Sequence, residues 1–257
     1  MKKQPGRNRI LVITPTYNEA PNIRAFIPAV LAVDRRIDLL IIDDNSPDRT
    51  GDIVARLQKR EPRLHLLRRE KKLGLGTAYI AGFRYALEAG YDWVFEMDAD
   101  FSHRPEYLPE MIAVLTGKKA DVVVGSRYSD GISVAHWPLK RLLLSTGANV
   151  YAGLITGVRV KDLTAGFVGY RRAVLESIDF DRIRSTGYAF QIEMKYRCRQ
   201  WGFTFREVPI IFADRHKGAS KMSKGIIFEA LLRCWTLRFG GKSEKLKAHL
   251  REMKEKR

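Results

Sequence analysis

Cysteine is scarce in this chain of 257 residues. Cys198 and Cys234 are its only cysteines, and they lie far apart, each in a segment with a helical pattern. Such a pair supports neither a disulfide framework nor a cysteine-based metal site. We therefore expect the protein to work in a reducing compartment.

Long apolar runs are lacking as well. The basic N-terminus, MKKQPGRNR, leads directly into a predicted strand, without the apolar core of a signal peptide. The longest uncharged run lies between Arg141 and Arg159, but serine, threonine, glycine and asparagine interrupt it. It falls short of the roughly 20 apolar residues that a bilayer span needs. We expect a buried or interfacial helix there, and a cytoplasmic protein.

The chain also lacks internal repeats and low-complexity linkers, which favours one domain over residues 1–240, followed by a basic, charged tail over 241–257. Acidic residues are few: 29 aspartates and glutamates face 46 lysines and arginines, for a formal net charge of +17. Such an excess predicts an anionic partner, which charge alone leaves open among nucleic acid, an acidic membrane and a phosphorylated substrate.

Short β-branched runs alternate with helical segments along the chain. This alternation predicts an α/β fold with a mostly parallel sheet flanked by helices. The predicted strands are Ile10–Thr14, Leu39–Ile42, Leu64–Leu67, Trp93–Met97, Val122–Val124 and Phe167–Tyr170. The predicted helices are Pro21–Val33, Asp52–Arg60 with Thr50 as its N-cap, Gly76–Ala89, Pro105–Leu115, one from about Leu139, Ala189–Trp201 and Ile226–Phe239.

Acidic side chains follow three of the predicted strands, at Thr16–Glu19, Asp43–Asp48 and Asp98–Asp100. Ligands of parallel α/β sheets bind at the carboxyl ends of the strands, so these positions are the first candidates for chemistry. The first two segments are suited to a nucleoside, with Tyr17 stacking on the base. A helix entry and an Asx-type turn are the alternative interpretations.

The Asp98-Ala99-Asp100 triplet predicts a metal site. Side chains of an extended backbone repeat with period two, so a strand continued through the triplet would point both carboxylates the same way. Mg²⁺ or Mn²⁺ takes oxygen ligands, often one or two carboxylates, and leaves its other positions to phosphates and water. A solvated turn is the alternative, because Asp-x-Asp is frequent by chance. The position after the fourth strand favours the metal.

Arg127 follows the fifth strand in a Gly-Ser-Arg-Tyr sequence. A guanidinium matches phosphate oxygens bidentately, although an arginine in so basic a chain is more often a solvated surface charge. His103, beside the acidic triplet, is predicted to have a structural role rather than to act as a metal ligand or base. Gly74 and Gly76 predict a turn before a helix, since glycine spacing alone is weak support for a phosphate loop.

A more specific resemblance is carried by nine motifs in a fixed order: TPTYNE, IIDDNSPDRTGD, KKLGLGTAYIAGF, MDADFSHRPEYLP, VVGSRY, KRLLLSTGAN, DLTAGFVGYRR, GYAFQIEM and RHKGASKMS. Over roughly Ile10–Phe239 the chain resembles the polyprenol (dolichyl) monophosphomannose synthases of glycosyltransferase family two. The resemblance implies a GT-A, Rossmann-like fold with a nucleotide-sugar half at about 9–128 and an acceptor half at about 129–240. It also implies transfer of mannose, with inversion, from GDP-mannose to dolichyl or undecaprenyl phosphate.

The resemblance assigns roles to individual residues. It implies a nucleoside site at Pro15, Tyr17, Glu19, Ile42 and Asp44, and a site for Mg²⁺ or Mn²⁺ and the donor at Asp98 and Asp100. An acceptor-phosphate site is implied at Arg127, Arg141 and Ser145. Arg215 and Lys221 would belong to a mobile loop near the diphosphate. The catalytic set is then Asp98, Asp100 and Arg127. Ser102 stands where some relatives carry a glutamine, so a metal contact from that position is not carried over. The C-terminal transmembrane segments of some relatives have no counterpart here.

Two other functions stay open at this point. One is transfer of glucose from UDP-glucose, or of another nucleotide-linked sugar, to the same lipid. The other is nucleic-acid binding, suggested by the net charge and the basic tail. Carboxylates at three neighbouring strand ends would repel a phosphate backbone, so we expect no nucleic acid as partner.

The predicted C-terminal helix has an apolar surface bracketed by basic residues, which is typical of a helix lying in a membrane interface. Packing of this helix on the catalytic core is the alternative interpretation. We expect peripheral binding to the cytoplasmic face of the membrane, where a small membrane-anchoring protein is a further possible partner. The surface comprises Ile226, Ile227, Ala230, Leu231, Cys234, Trp235 and Leu237.

Overall fold

The structure is a computed structural model, and it describes residues 8–135, 137–185, 187, 189–213 and 224–240. Arg215, Lys221 and the tail 241–257, which the sequence-based predictions include, lie outside these residues. The strands are β1 Ile10–Thr16, β2 Ile37–Asp43, β3 Leu64–Arg68, β4 Trp93–Glu96, β5 Val122–Ser126, β6 Val134–Ala135, β7 Val168–Arg171, β8 Phe205–Pro209 and β9 Phe212–Ala213. The helices are α1 Ala20–Leu31, α2 Thr50–Gln58, α3 Leu75–Ala89, α4 Leu108–Thr116, α5 Leu139–Thr156, α6 Arg172–Glu176, α7 Ala189–Gln200 and α8 Lys224–Phe239.

Seven strands form one sheet in the order β3-β2-β1-β4-β7-β5-β8. Neighbouring strands pair in parallel, except that β7 runs antiparallel to both β4 and β5. The predicted mostly parallel α/β sheet is therefore confirmed. A second, two-stranded ladder joins β6 to β9 in parallel.

Helices cover the sheet on both faces, which explains why its central strands are continuous apolar runs rather than alternating ones. Residues 10–13 of β1 are completely buried. Leu11 and Ile13 pack in one layer with α3 and α7, whereas Ile10 and Val12 pack in the other with α1 and α4. Two apolar layers thus fix the central strands, and with them the carboxyl edge of the sheet.

The start of α2 differs from its prediction. Thr50 is the first helical residue rather than the N-cap, and Arg49 precedes it with a left-handed φ of 63°. The reason is Asp48, whose Oδ1 accepts hydrogen bonds from the backbone N–H and the hydroxyl of Thr50, at 3.0 and 2.6 Å. Asp48 therefore satisfies the first backbone N–H of α2, which has no partner within the helix.

Helix α8 packs against α5 and α7 and also presents apolar side chains to solvent. Cys234 is only 1% exposed and Leu237 packs beside it, so part of the predicted interfacial surface lies on the protein core instead. Trp235 and Phe239 are exposed and stack on each other. One face of this helix therefore packs on the protein core, as the alternative interpretation has it, whereas binding of the exposed face to a membrane stays a prediction. In the described part of the chain, no helix is long and apolar enough to cross a membrane.

Candidate active site

The ends of β1 and β2 bring the predicted nucleoside residues side by side. Pro15 pairs with Ile42 in the parallel register, and the backbone N–H of Asp44 donates to the carbonyl of Thr16 at 3.1 Å. Ile42 is completely buried, so a ligand at this edge meets its backbone rather than its side chain.

Two of the acidic residues in this region hold the turns themselves. The carboxylate of Asp43 accepts hydrogen bonds from the Ser46 hydroxyl at 2.6 Å and from the Thr16 hydroxyl at 3.2 Å. Asp48 accepts the backbone N–H of Ala20 at 2.9 Å, besides its bonds to α2. The predicted Asx-type turn, which covers Asn45–Asp48, is therefore correct at Asp48, and Asp43 has a similar role that was not predicted.

Asp44 has a different environment. Its two oxygens accept hydrogen bonds from Nε and Nη2 of Arg69, each at 2.6 Å, and both side chains are largely buried. The other Nη of Arg69 donates to the Thr77 hydroxyl at 2.8 Å, and this hydroxyl donates to the carbonyl of Gly74 at 2.8 Å. Gly74, with a φ of 99°, forms the predicted turn before α3. Arg69 thus ties that turn to Asp44.

Tyr17 and Glu19 lie in the segment between β1 and α1. The ammonium of Lys72 lies 4.3 Å from the centroid of the Tyr17 ring, a cation–π contact across the predicted base-stacking position. Glu19 accepts a hydrogen bond from the Asn22 amide at 2.9 Å, and its backbone N–H donates to Thr50 at 3.0 Å.

The acidic triplet lies in a turn rather than on a continued strand. β4 ends at Glu96, Ala99 and Asp100 form the turn, and Phe101 has a left-handed φ of 60°. The period-two argument assumed a strand continued through the triplet, and this condition is not met, because β4 ends at Glu96 and a turn begins at Ala99. Asp100 is nevertheless 7% exposed and not solvated, and its Oδ1 accepts the backbone N–H and the hydroxyl of Ser102 at 3.0 and 2.5 Å.

Asp98 is fixed by two neighbours. The hydroxyl of Tyr79, on α3, lies within hydrogen-bonding distance of Oδ1 of Asp98, at 3.4 Å. Burial and the Asp98 charge together raise the pKa of Tyr79 well above its usual value, so this phenol stays protonated and donates. The backbone N–H of Asp98 donates to Nδ1 of His103 at 3.0 Å.

His103 is almost completely buried and stacks on Phe167, with ring centroids 5.1 Å apart. Because its Nδ1 accepts the Asp98 amide, this nitrogen has no lone pair left for a metal or a substrate proton. The geometry agrees with the predicted structural role of this side chain.

The triplet suits a hard divalent cation. Among the described residues, no group of three or more histidines, cysteines, aspartates or glutamates is arranged to hold a metal. Two carboxylates without imidazole or thiolate partners match Mg²⁺ or Mn²⁺, whose remaining positions go to phosphates and water. Asp98 and Asp100 are the residues that would hold it.

Arg127 lies just past β5, and its side chain is only 11% exposed. Its Nε and Nη2 donate to the two oxygens of the fully buried Asp162, at 2.7 and 2.6 Å, and its backbone N–H donates to the same carboxylate at 3.0 Å. Nη2 also donates to the Thr164 hydroxyl at 2.7 Å. Arg127 is therefore not a solvated surface charge, and the alternative interpretation is wrong.

Arg141 and Ser145, on the first turns of α5, lie in the same region. The Arg141 guanidinium covers the Trp137 ring at 4.0 Å, and Arg127 lies 5.5 Å from that ring. The hydroxyl of Tyr128 donates to Ser145 at 2.7 Å. The structure thus brings the three predicted acceptor-phosphate residues together around two aromatic side chains.

Phe212, on β9, joins the two parts of the site. Its ring centroid lies 5.9 Å from His103 on one side and 5.7 Å from Trp137 on the other. The acidic triplet and the cluster formed by Arg127 and Arg141 are therefore neighbours along one edge of the sheet, with aromatic rings between them.

Sequence reasoning missed several residues of this site: Arg69, Tyr79, Trp137, Asp162 and Phe212. Tyr79 and Asp162 lie within the nine motifs and the other three lie within three residues of one, so a signal for their importance was present. Their partners were not readable, because the contacts Arg69–Asp44 and Arg127–Asp162 join positions 25 and 35 residues apart.

Asp162→Asn should destabilise the fold by about 3–5 kcal/mol, because Arg127 would keep a largely buried charge without its counterion. Burial alone would raise the pKa of Asp162, but Arg127 outweighs this and holds the pKa below 3.8. The stabilisation is thus complete above pH 3.8 and is lost as the pH falls through the lower folded-state pKa.

Urea unfolding from pH 7 to pH 3 measures both effects. At pH 7 the variant should have a lower free energy of unfolding than the wild type. As the pH falls, the free energy of unfolding of the variant should decrease less steeply than that of the wild type. Asp52→Asn, which breaks an exposed ion pair with Arg68, should leave both quantities nearly unchanged. Equal unfolding free energies for wild type and Asp162→Asn would contradict the assignment.

Comparison with known proteins gives a consistent result. The sequence model of the family described as "Glycosyl transferase family 2" matches residues 11–179. The polyprenol monophosphomannose synthase of Mycolicibacterium smegmatis is 45% identical over 234 residues, 90% of this chain and 88% of that protein. The undecaprenyl-phosphate mannosyltransferase of Micrococcus luteus is 41% identical over 242 residues, 94% of this chain and 99% of that protein.

Solved structures show the same fold. Glucosyl-3-phosphoglycerate synthase of Mycobacterium tuberculosis, with Mn²⁺, UDP and phosphoglyceric acid, has a TM-score of 0.66 at 20% identity, covering 92% of this chain and 80% of that one. A mannosyltransferase from Pyrobaculum calidifontis, with GDP-Man and Mn²⁺, has a TM-score of 0.55 at 16% identity, covering 98% and 81%. The predicted GT-A type of fold is confirmed. Since the family model spans more than half of the chain and the relatives align with most of it, the protein belongs to glycosyl transferase family 2.

Proposed function

We propose that the protein transfers mannose from GDP-mannose to a polyprenyl phosphate, with inversion, releasing GDP. The observation that carries the proposal is the shared sheet edge, where the Asp98–Asp100 turn and the Arg127–Arg141 cluster flank one group of aromatic rings. The names of the two relatives, which act on polyprenol and undecaprenyl phosphates, support the acceptor. The mannosyltransferase solved with GDP-Man supports the donor.

A metal held by Asp98 and Asp100 would supply charge neutralisation for the departing diphosphate. The residues of the chain do the rest. Tyr17, Glu19 and Asp44 face the nucleoside at the ends of β1 and β2. We also assign Arg215 and Lys221 to the diphosphate, on the strength of the family resemblance.

The acceptor needs no general base. A phosphate monoester oxygen is already anionic at neutral pH, so it attacks the anomeric carbon once it is held in line with the leaving group. This agrees with His103, whose Nδ1 already accepts the Asp98 amide. Two phosphorylated groups repel each other at this distance, so cations on the acceptor side are required. We assign that task to the guanidiniums of Arg127 and Arg141, with the Ser145 hydroxyl as a further hydrogen-bonding group.

The test is a radiolabelled sugar-transfer assay with undecaprenyl and dolichyl phosphates as acceptors. We expect lipid-linked mannose from GDP-mannose in the presence of Mg²⁺ or Mn²⁺. The UDP complex of a related fold makes UDP-glucose the donor to compare. Transfer from UDP-glucose alone would replace mannose by glucose in the proposal, and no lipid-linked product from either donor would refute it.

Asp100→Asn should lower kcat by at least a hundredfold while the protein stays folded, because an amide is a poor ligand for a hard cation. Turnover with saturating Mn²⁺ and the unfolding midpoint are the measurements. Asp92→Asn makes the same chemical change at the opposite end of β4, where Asp92 accepts the Arg9 amide, and should keep kcat. A fully active Asp100→Asn enzyme would remove the metal assignment.

Arg141→Ala should raise the KM for polyprenyl phosphate about tenfold or more through loss of a charge-assisted contact, which is worth about 1.5–3 kcal/mol. The KM for GDP-mannose should change little. Arg141 is a cleaner probe than Arg127, whose removal leaves Asp162 buried and unpaired. Lys140→Ala, the exposed neighbour with the same charge, is the control. If only the KM for GDP-mannose changed, Arg141 would be assigned to the diphosphate instead of the acceptor phosphate.

We further propose that α5 and α8 together form the surface that meets the cytoplasmic face of the membrane. Exposed apolar side chains recur on one face of each helix, at Leu139, Leu143, Val150 and Leu154 of α5 and at Leu232, Trp235 and Phe239 of α8. The indole of Trp235 donates to the Tyr151 hydroxyl at 2.5 Å, which joins the two helices. Two exposed apolar helix faces on a chain of net charge +17 fit an anionic bilayer.

The protein should float with anionic vesicles, and high salt should weaken this binding. Leu143→Glu combined with Leu154→Glu should weaken it more than tenfold, because each leucine loses about 1.5–3 kcal/mol of burial in the interface. Gln58→Glu adds a negative charge on α2 and should bind as the wild type does. Point variants are used rather than a deletion of α8, because Cys234 of this helix is part of the core. Equal flotation of all variants would refute this surface.

A further inference from the structure

A buried polar network lies directly behind the acidic triplet. The side-chain amide of Gln191, on α7, donates to the carboxylate of Glu96, the last residue of β4, and the Tyr170 hydroxyl lies 3.2 Å from the same carboxylate. One turn further along α7, the Lys195 ammonium donates to the carbonyl of Ala165 at 2.8 Å and to Oε1 of Gln191 at 3.4 Å. Gln191 is 2% exposed, and the side chains of Glu96, Tyr170 and Lys195 are completely buried.

Such a network has a cost. The carboxylate of Glu96 and the ammonium of Lys195 are completely buried, and removing such charged groups from water carries a desolvation penalty. Replacing a buried ion pair by well-packed apolar residues is often neutral or stabilising. Stability alone therefore gives no reason for a polar network here, and its geometry directs attention to the site.

Both ends of the network reach the site. Glu96 is the last residue of β4 and lies two residues before Asp98. Ala165 follows Thr164, whose hydroxyl accepts a hydrogen bond from Arg127. A third connection runs from Phe190, beside Gln191 on α7, which stacks on Tyr79 with centroids 6.0 Å apart. Tyr79 in turn meets Asp98.

We propose that Gln191 and Lys195 are positioning residues that hold the end of β4 and the segment around Ala165 at a fixed separation. The proposal rests on the function proposed above. Through the first contact they set the place of Asp98 and Asp100, and through the second they set the place of Arg127. One helix thus spaces the metal side of the site from the acceptor side.

A fixed spacing matters because reacting groups have to be held within a narrow range of distance. A displacement of about 1 Å, caused by a change remote from the chemistry, can lower a rate about a hundredfold. In this site the phosphate groups of the donor and the acceptor also repel each other. If the two sides of the site were not held at a fixed distance, this repulsion would move the two phosphate groups apart.

Gln191→Met is the primary test, since it keeps the size of the side chain and removes both of its network bonds. We expect kcat to fall at least tenfold and the Kd for Mn²⁺, measured by electron paramagnetic resonance with GDP present, to rise several-fold. The KM for the acceptor should stay near the wild-type value. Cys198→Ala, a truncation at another buried position of α7, should reduce the unfolding midpoint but keep kcat and the Mn²⁺ affinity.

A second variant tests the acceptor side. Lys195→Met alone would leave Glu96 without its counterion, so it is combined with Glu96→Gln, which removes both charges together. This double variant should fold and should raise the acceptor KM as well as lower kcat, because the link to Ala165 is lost. An unchanged acceptor KM would overturn the role of Lys195.

The outcomes separate this inference from the function on which it rests. A wild-type protein that makes no lipid-linked sugar would refute the proposed function. With an active wild type, a Gln191→Met enzyme that matches Cys198→Ala in kcat and in Mn²⁺ affinity would show a purely structural network and overturn the inference alone.

Discussion

The ion pair between Arg127 and Asp162 is the interaction on which the acceptor-phosphate side of the site depends. Its carboxylate is completely buried and receives three hydrogen bonds from one arginine. The backbone N–H of Asp162 also donates to Glu207 on β8 at 3.1 Å. The pair therefore fixes the end of β5, the segment after residue 160 and the last strand of the sheet against one another. An arginine so held costs little further ordering when it meets an anion.

The pairing of Arg127 with Asp162 also explains how the fold can serve a metal cation and a phosphate anion at one site. The carboxylates that would hold a metal and the guanidiniums that would meet a phosphate lie at one sheet edge, and direct neutralisation between them would disable both. Aromatic rings stand between the two groups instead, with His103 and Trp137 on either side of Phe212. Arg127 finds its counterion in Asp162, away from the triplet. Opposite charges are thus kept close without cancelling each other.

The sequence predicted the part of the molecule that depends on local pattern. Apolar runs and helical periods gave the parallel strands β1 to β5 and the helices between them, and the strand ends pointed to the site. It was less accurate where the local pattern is weak, at turns and in short segments. Thr50 is the first residue of α2 rather than its N-cap, and β4 ends at Glu96, before the turn at Ala99–Asp100.

The short strands of the second half were missed for a related reason. β8 alternates residues of different burial at the sheet edge, and β6 and β9 are two residues long, too short for any periodicity. They exist because each finds a partner far along the chain. The charge pairs of the site share this property, so motifs identified the residues but not their contacts.

The antiparallel β7 has a consequence for how the chain folds during synthesis. The four strands β3, β2, β1 and β4 are complete once residue 96 has been made, and they form a sheet from neighbouring segments. β5 follows soon after but pairs only with β7 and β8. β5 cannot join the sheet until β7, residues 168–171, has been made and pairs beside β4. Forming contacts between such distant segments of the chain is slow. Until then the apolar edges of β4 and β5 stay open, a period in which the nascent chain depends on protection from aggregation.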